Sequence, residues 1–323
     1  SEVVTYNREG SIGVITVNYP PVNALSHAVR SGLVAALEQG EKDADAKVLL
    51  LVCEGRTFIA GADIREFGKP MQDPGLPSVV DQYESSDKPI VAAIHGTALG
   101  GGLETALGCH YRVALSSAKV GLPEVKLGLL PGAGGTQRLP RLAGAQKALE
   151  MITTGEFVGA KDALALGIVD AVEDSSDIKA AGLACAQKVA DEGKPVRRVR
   201  DLTDKLQADK GSDVFEQFRA GLQKKARGLF SPFKCVDAVE AAFSLPFEEG
   251  VKRERELFME CMESPQRAGL VHSFFAEREV SKVKGLSKDT PVRDIRTVGV
   301  IGAGTMGGGI AMNFANAGIP VTI

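Results

Sequence analysis

The 323-residue chain is 44% hydrophobic and sets 38 Lys and Arg against 41 Asp and Glu, a net charge of -3. That is enough apolar material for a sizeable core and more than one domain, and no excess of positive charge to draw it to nucleic acid or an anionic membrane. The five cysteines (Cys53, Cys109, Cys185, Cys235 and Cys261) are odd in number, far apart and without the paired spacing of zinc ligands, so they read as buried thiols in a reducing compartment, with no metal site expected.

The opening SEVVTYNREGSIGVITVNYP has Glu2 near its start and no basic segment leading into a long apolar run, unlike a signal peptide. No stretch approaches the roughly 20 apolar residues needed to span a bilayer. VVTYN and GVITVN flank the turn REGS, which predicts a hairpin. Residues Ser26 to Glu41 carry helical spacing, KVLLLVCEG is a short buried strand, and PIVAAIHG repeats that signature at residues 89–96. GGLETALGC follows with a helical pattern, then HYRVAL with a strand pattern. Repeated strand, turn and helix units imply an α/β core.

From about Lys147 the chain turns mainly helical: KALEMITTG, AKDALALG and the run from Ser176 to Glu192, with IVDAV as a strand between the last two. KPVRRVRD, basic and punctuated by proline, reads as a solvated surface connection rather than a phosphate site. Helical spacing resumes through VFEQFRAGLQKKARGL, CVDAVEAAF and FEEGVKRERELFMECMES, and again from Gln266 to about Val283. VKGLSKDTPVRD has the composition of a linker. These readings divide the chain into a core at 1–190, a helical region that completes and links it at 191–283, a linker at 284–296 and a separate segment at 297–323.

Three glycine-rich elements in the first half carry the chemistry: TFIAGADIREF, HGTALGGGLETALGC and VGLPEVKLGLLPGAGGTQRLPRLAG. Gly100, Gly101 and Gly102 allow close approach of a substrate to the backbone, at a helix start whose free N–H groups favour an anion. A thioester carbonyl gaining enolate character needs such donors, and two N–H groups from separate loops would form an oxyanion hole. Glu104 lies one helical turn beyond Gly101. Glu124 lies in a Gly-Leu-Pro-Glu turn. Two carboxyls converging on one apolar pocket divide acid and base roles, because burial and repulsion push their pKa values apart. Taken singly, Glu104 reads more readily as a complement to a helix N-terminus, and Glu124 as a solvent-facing turn residue.

In order and spacing, the hairpin, PPVNALS, AGADI, GGGLETALGC and GLPEVKLGLLPGAGGTQRLPR together resemble the enoyl-CoA hydratase/isomerase, or crotonase, family over most of residues 1–190. The resemblance implies a crotonase-type ββα spiral core binding an acyl-CoA thioester. It also implies an oxyanion hole from the N–H groups of Ala62 and Gly101, and Glu104 and Glu124 as the catalytic pair that hydrates a trans-2-enoyl-CoA without a cofactor. Asn23, Ala24, Leu25, Asp63 and Ile64 match positions that shape the substrate channel. His95 and His110 match no catalytic position and are expected to be structural. Alternatives within the same pocket are Δ3-Δ2-enoyl-CoA isomerisation by Glu124 alone, or acyl-CoA binding without turnover.

In TVGVIGAGTMGGGIAMNFANAGIPVTI, Gly302, Gly304 and Gly307 follow an apolar strand and open a helix, the context of a dinucleotide-binding turn that begins a Rossmann domain. The ribose-binding acid is expected about 20 residues beyond the fingerprint, and no Asp or Glu occurs from Gly308 to Ile323. The order of the modules resembles the bifunctional enoyl-CoA hydratase/3-hydroxyacyl-CoA dehydrogenases. It implies the front of a longer parent that uses NAD, a monomer or small homo-oligomer, peroxisomal if eukaryotic and cytoplasmic if bacterial.

Overall fold

Alternation along the buried strands sends successive side chains into two different cores. The computed structural model describes residues 2–66, 68–280, 282–287 and 289–323, the side chain of Ile64 excepted, and their contacts form two units, 1–275 and 276–323.

In the first unit the strands are β1 (Val4–Glu9), β2 (Ile12–Val17), β3 (Val48–Cys53), β4 (Ile90–Ile94), β5 (Thr97–Leu99), β6 (Tyr111–Leu115), β7 (Lys119–Gly121), β8 (Val158–Gly159) and β9 (Ala171–Glu173). The larger sheet runs β1-β2-β3-β4-β6-β9, antiparallel between β1 and β2 and parallel thereafter. In β3, Leu49, Leu51 and Cys53 enter one core with Leu33 and Leu37 of the His27–Lys42 helix. Val48, Leu50 and Val52 enter the other with Ala186 and Val189 of the Ile178–Asp191 helix. Strand side chains alternate with period two, so a strand covered on both faces must be apolar throughout, as VLLLVC is. The predicted hairpin, the first helix, the buried strands at 48 and 90 and the helix at Gly101–Gly108 all form.

A second, smaller sheet of β5, β7 and β8 was not anticipated, nor were the helices Leu76–Ser85 and Gly135–Ala143. Strands of two or three residues fall below the length at which alternation can be read. The second helix carries Pro140 internally and starts in a glycine run, both loop signals.

The basic segment KPVRRVRD, expected to be a solvated surface connection, is half-buried with its three arginines paired. Glu84, fully buried, accepts from Arg138 Nη2 and Arg200 Nε at 2.6 Å each, and its other oxygen accepts from the Arg200 backbone N–H at 3.0 Å. Arg198 donates to the Glu84 carbonyl at 3.0 Å, and Arg197 pairs with Asp170 at 2.6 Å. Burial works to raise the Glu84 carboxyl, but the guanidinium groups outweigh it and hold it below the usual range. Composition alone does not reveal a buried acid that needs these cations.

The cysteines are unpaired, four buried and Cys185 half-buried. Among the described residues no helix is long and apolar enough to cross a membrane, and no cluster of His, Cys, Asp or Glu is placed to hold a metal ion. The second unit pairs β10 (Val298–Gly299) in parallel with β11 (Val321–Thr322), with the helix Thr305–Asn316 between them. A Cβ on Gly307 would lie 1.8 Å from the Gly302 carbonyl oxygen, so this turn closes only with glycine.

Replacing Glu84 by Gln leaves Arg138 and Arg200 without their shared buried anion, a change expected to cost about 3–5 kcal/mol at neutral pH. Because the folded-state pKa of Glu84 is depressed, its contribution is present above the unfolded value and lost as pH falls through the folded one. Urea denaturation of both proteins should show a gap at pH 7 that narrows in acid; a gap independent of pH contradicts the assignment.

Candidate active site

The small sheet brings together two segments far apart in sequence. β5 and β7 pair in register with Leu99 opposite Gly121, and Gly100 N–H donates to the Gly121 carbonyl at 2.9 Å. Immediately after β5 the helix Gly101–Gly108 begins; immediately after β7 comes the 3-10 turn Pro123–Leu127. The pairing therefore sets the Glu104 helix start beside Glu124. Gly100 stands at φ +53, where a side chain is strained, and a Cβ there would lie 3.0 Å from Glu124 Oε1.

Leu25 N–H donates to Gly61 O at 2.9 Å in an isolated parallel bridge between Leu25 and Ala62. In that arrangement Ala62 N–H is not used by the bridge. Gly101 N–H, on the first residue of its helix, likewise has no backbone acceptor among the described residues. The two positions adjoin: a Cβ built on Gly101 would stand 4.0 Å from Ala62 N.

Glu104, Glu124, Ala62 and Gly101 line one cavity of about 250 Å³. Leu25, Met71, Leu76, Leu130, Phe258 and Met262 supply apolar wall, and Lys69 and Arg255 basic wall. Phe258 and Met262 belong to the helix Phe247–Glu263, so the region after residue 190 closes the cavity as well as linking. Ala133 and Gly135 N–H both donate to Glu104 Oε1 at 2.8 Å. Its Oε2 has no protein donor among the described residues. Glu124 Oε2 is buried without a partner.

Burial raises both carboxyls, since a low-dielectric site disfavours the charged form. For Glu104 this is opposed by the Ala133 and Gly135 N–H groups and by the Arg138 guanidinium, so its rise is restrained. Glu124 is pushed well above the usual carboxylate range by burial and by the negative charge of Glu104, with a smaller push from Glu254, and its own backbone N–H offsets only part of this. The pair is thus split, with Glu104 the readier to ionise and Glu124 the readier to keep its proton.

Glu254 was not singled out in the sequence. Its carboxylate, 1% exposed, accepts from Gly134 N–H at 2.7 Å and Thr136 N–H at 3.1 Å, and from the Thr136 hydroxyl. A signal existed: with Gly250, Leu257 and Cys261 it forms the buried stripe of its helix, at the spacing of a core-facing row. One acid in that row differs in kind from the charges around it.

Of the other candidates, Leu25 and Asp63 line the cavity, Asp63 being paired with Arg65 at 2.7 Å. Asn23 does not face the cavity. Its amide accepts from Tyr19 N–H at 2.7 Å and donates to the Glu54 and Thr57 carbonyls at 2.9 and 3.0 Å, which fixes a buried turn at φ 52. Ala24 is not part of the lining, and the Ile64 side chain lies outside the described residues. His95 bonds the Gly55 carbonyl at 2.9 Å. His110 Nδ1 accepts from Ile90 N–H at 3.0 Å, so Nε2 carries the proton to the Glu84 carbonyl at 3.0 Å. Burial holds its pKa down at about 4. Both histidines lie outside the cavity lining.

Residues 7–228 match the family described as enoyl-CoA hydratase/isomerase, and residues 297–323 match the NAD binding domain of 3-hydroxyacyl-CoA dehydrogenase. The chain is 46% identical over 318 residues to the peroxisomal bifunctional enzyme of Danio rerio, covering 96% of this chain and 44% of that protein. It thus spans less than half the length of that relative. Among solved structures it resembles an enoyl-CoA hydratase subunit from Geobacillus kaustophilus (32% identity, TM-score 0.55, 86% of this chain and 97% of that one). It also resembles the carnitinyl-CoA hydratase of Mycobacterium avium (26% identity, TM-score 0.64, 86% and 97%).

Proposed function

The chain belongs to the enoyl-CoA hydratase/isomerase family, and from that premise we propose that it adds water across the double bond of a trans-2-enoyl-CoA, with Glu104 and Glu124 as its acid/base pair. The observation that carries the reading is the convergence of two inequivalent carboxyls and two uncommitted N–H groups on one cavity.

With the thioester oxygen on the N–H groups of Ala62 and Gly101, negative charge developing on that oxygen meets fixed donors. Glu104, whose carboxylate form two backbone donors favour against burial, orients water and takes its proton as oxygen bonds to Cβ. Glu124 delivers its proton to Cα. The sum is addition of H and OH, and exchange with solvent returns the proton balance between the acids. The apolar wall suits the acyl chain, and Lys69 and Arg255 suit the phosphates of CoA. Hydration itself calls on no cofactor. The rival isomerisation needs Glu124 alone; the restrained, doubly tethered Glu104 is the feature that favours water activation.

As part of a longer bifunctional protein, the chain would pass its 3-hydroxyacyl-CoA product to an NAD-dependent dehydrogenase, in peroxisomes where the host is a eukaryote. The Gly302–Gly307 turn fits the pyrophosphate of NAD: glycine at 307 lets the turn close on the Gly302 carbonyl, the space around Gly302 and Gly304 is open, and the helix from Thr305 opens there. Any ribose-binding acid lies outside Gly308–Ile323.

Glu104→Gln and Glu124→Gln are each expected to lower hydration by at least about a hundredfold, with folding and CoA binding largely kept. The rate should rise with pH as Glu104 ionises and fall as Glu124 loses its proton, a bell whose alkaline limb vanishes in Glu124→Gln. Loss of conjugated-thioester absorbance measures this, with 3-enoyl-CoA supplied in parallel to expose isomerisation. Near-normal turnover in either variant removes that residue from the mechanism. Titration of NAD into this 323-residue chain is expected to give no measurable binding, since phosphate contacts at one turn act without the ribose acid; micromolar affinity would refute that.

A further inference from the structure

We propose that Glu254 is a positioning residue for this reaction, holding Glu104 in place through the loop 133–136; the inference rests on the hydratase reading above. Four successive residues of that loop alternate their donors between two buried acids. Ala133 and Gly135 N–H serve Glu104 Oε1, while Gly134 and Thr136 N–H serve the two oxygens of Glu254. The Thr136 hydroxyl adds a further bond to Glu254 and itself accepts from Gln137 Nε2 at 2.9 Å. Neither carboxyl can shift without disturbing the donors of the other. Glu254 lies outside the cavity lining, so it acts on substrate only through the two acids that line it, by the shared loop on Glu104 and by its charge on Glu124.

The charged groups around it are Glu104 and Glu124 across the loop, Arg138 on the helix that follows, committed to Glu84, and Arg255 next along its own helix. The Ser231–Ser244 helix packed alongside keeps Asp237 and Glu240 on Arg219. Burial and then the charge of Glu104 push the Glu254 carboxyl up to about 8. Once ionised, it joins Glu104 in holding the proton on Glu124. Glutamine at this position keeps the shape, mismatches one donor at Thr136, and removes that charge. Two effects follow: a loosened Glu104, and a Glu124 that gives up its proton at lower pH.

The test is the kcat, KM and pH profile of 2-enoyl-CoA hydration by the full chain, wild type and E254Q. The expected result is a kcat lowered about tenfold or more, a KM changed less than about twofold, and an alkaline limb moved to lower pH by about half a unit or more. A folded E254Q with the wild-type kcat and both wild-type limbs overturns the proposal, because a merely structural residue would leave the profile in place. Should E254Q fail to fold, Thr136→Val and Thr136→Ser decide: Val is expected to lower kcat and Ser to restore it, and equal turnover in the two overturns the proposal. A wild-type chain that binds the thioester without hydrating it removes the hydratase reading and this inference together, an outcome told apart by the inactive wild type.

Discussion

Burying several carboxyls within reach of one another is unfavourable unless each has donors or a proton, and the site depends on how that problem is solved. Glu104, Glu124 and Glu254 solve it in three ways. Glu104 takes two backbone N–H groups; Glu254 takes two more and a hydroxyl; Glu124 takes no protein donor at Oε2 and keeps its proton. A buried acid left bare in a low dielectric neutralises itself rather than paying for a charge. The asymmetry between Glu104 and Glu124 is therefore a consequence of where the backbone donors point.

Those donors come from a loop held from outside. Arg138, on the helix following the loop, donates to the Ala133 carbonyl at 3.2 Å and pairs with Glu84. Its guanidinium stacks over the Phe247 ring at 5.0 Å, as do those of Arg141 and Arg200 at 5.2 and 4.7 Å. Phe247 opens the helix that carries Glu254. The arginines thus join the loop, the buried Glu84 and the later helices in one polar network, where each partner is costly to remove because the others would be left unpaired.

Much of this was legible in the sequence, for identifiable reasons. The Glu104 helix and the Glu124 turn sit in glycine runs whose only physical purpose is close approach, and the core strands are apolar on both faces. The β5–β7 pairing that brings the two acids together was not legible, because three-residue strands carry no periodic signal. The basic segment at 194–201 misled because charge reads as solvated until its buried partner, Glu84, is known. Glu254 was hidden by its surroundings in FEEGVKRERELFMECMES, where four acids and bases precede it, Arg255 and Glu256 follow directly, and only its place in the apolar row sets it apart. The part Asn23 plays in the fold was not legible either: its amide holds the turn that leads to Leu25 through bonds to Tyr19, Glu54 and Thr57, partners that no local sequence pattern reveals.

The helices after residue 190 are therefore part of the catalytic half of the molecule in a stricter sense than covering it. Their helix at Phe247–Glu263 supplies cavity wall through Phe258 and Met262 on one row and the Glu254 carboxylate on the adjacent one. Take away the carboxylate and the N–H groups of Gly134 and Thr136 are left buried without acceptors, at about 1–3 kcal/mol each. Any shift of the loop that relieves that cost also moves the Ala133 and Gly135 N–H groups bonded to Glu104 Oε1. A helix that begins well outside the glycine-rich motifs thus shares with the motif acid the loop that holds that acid in place.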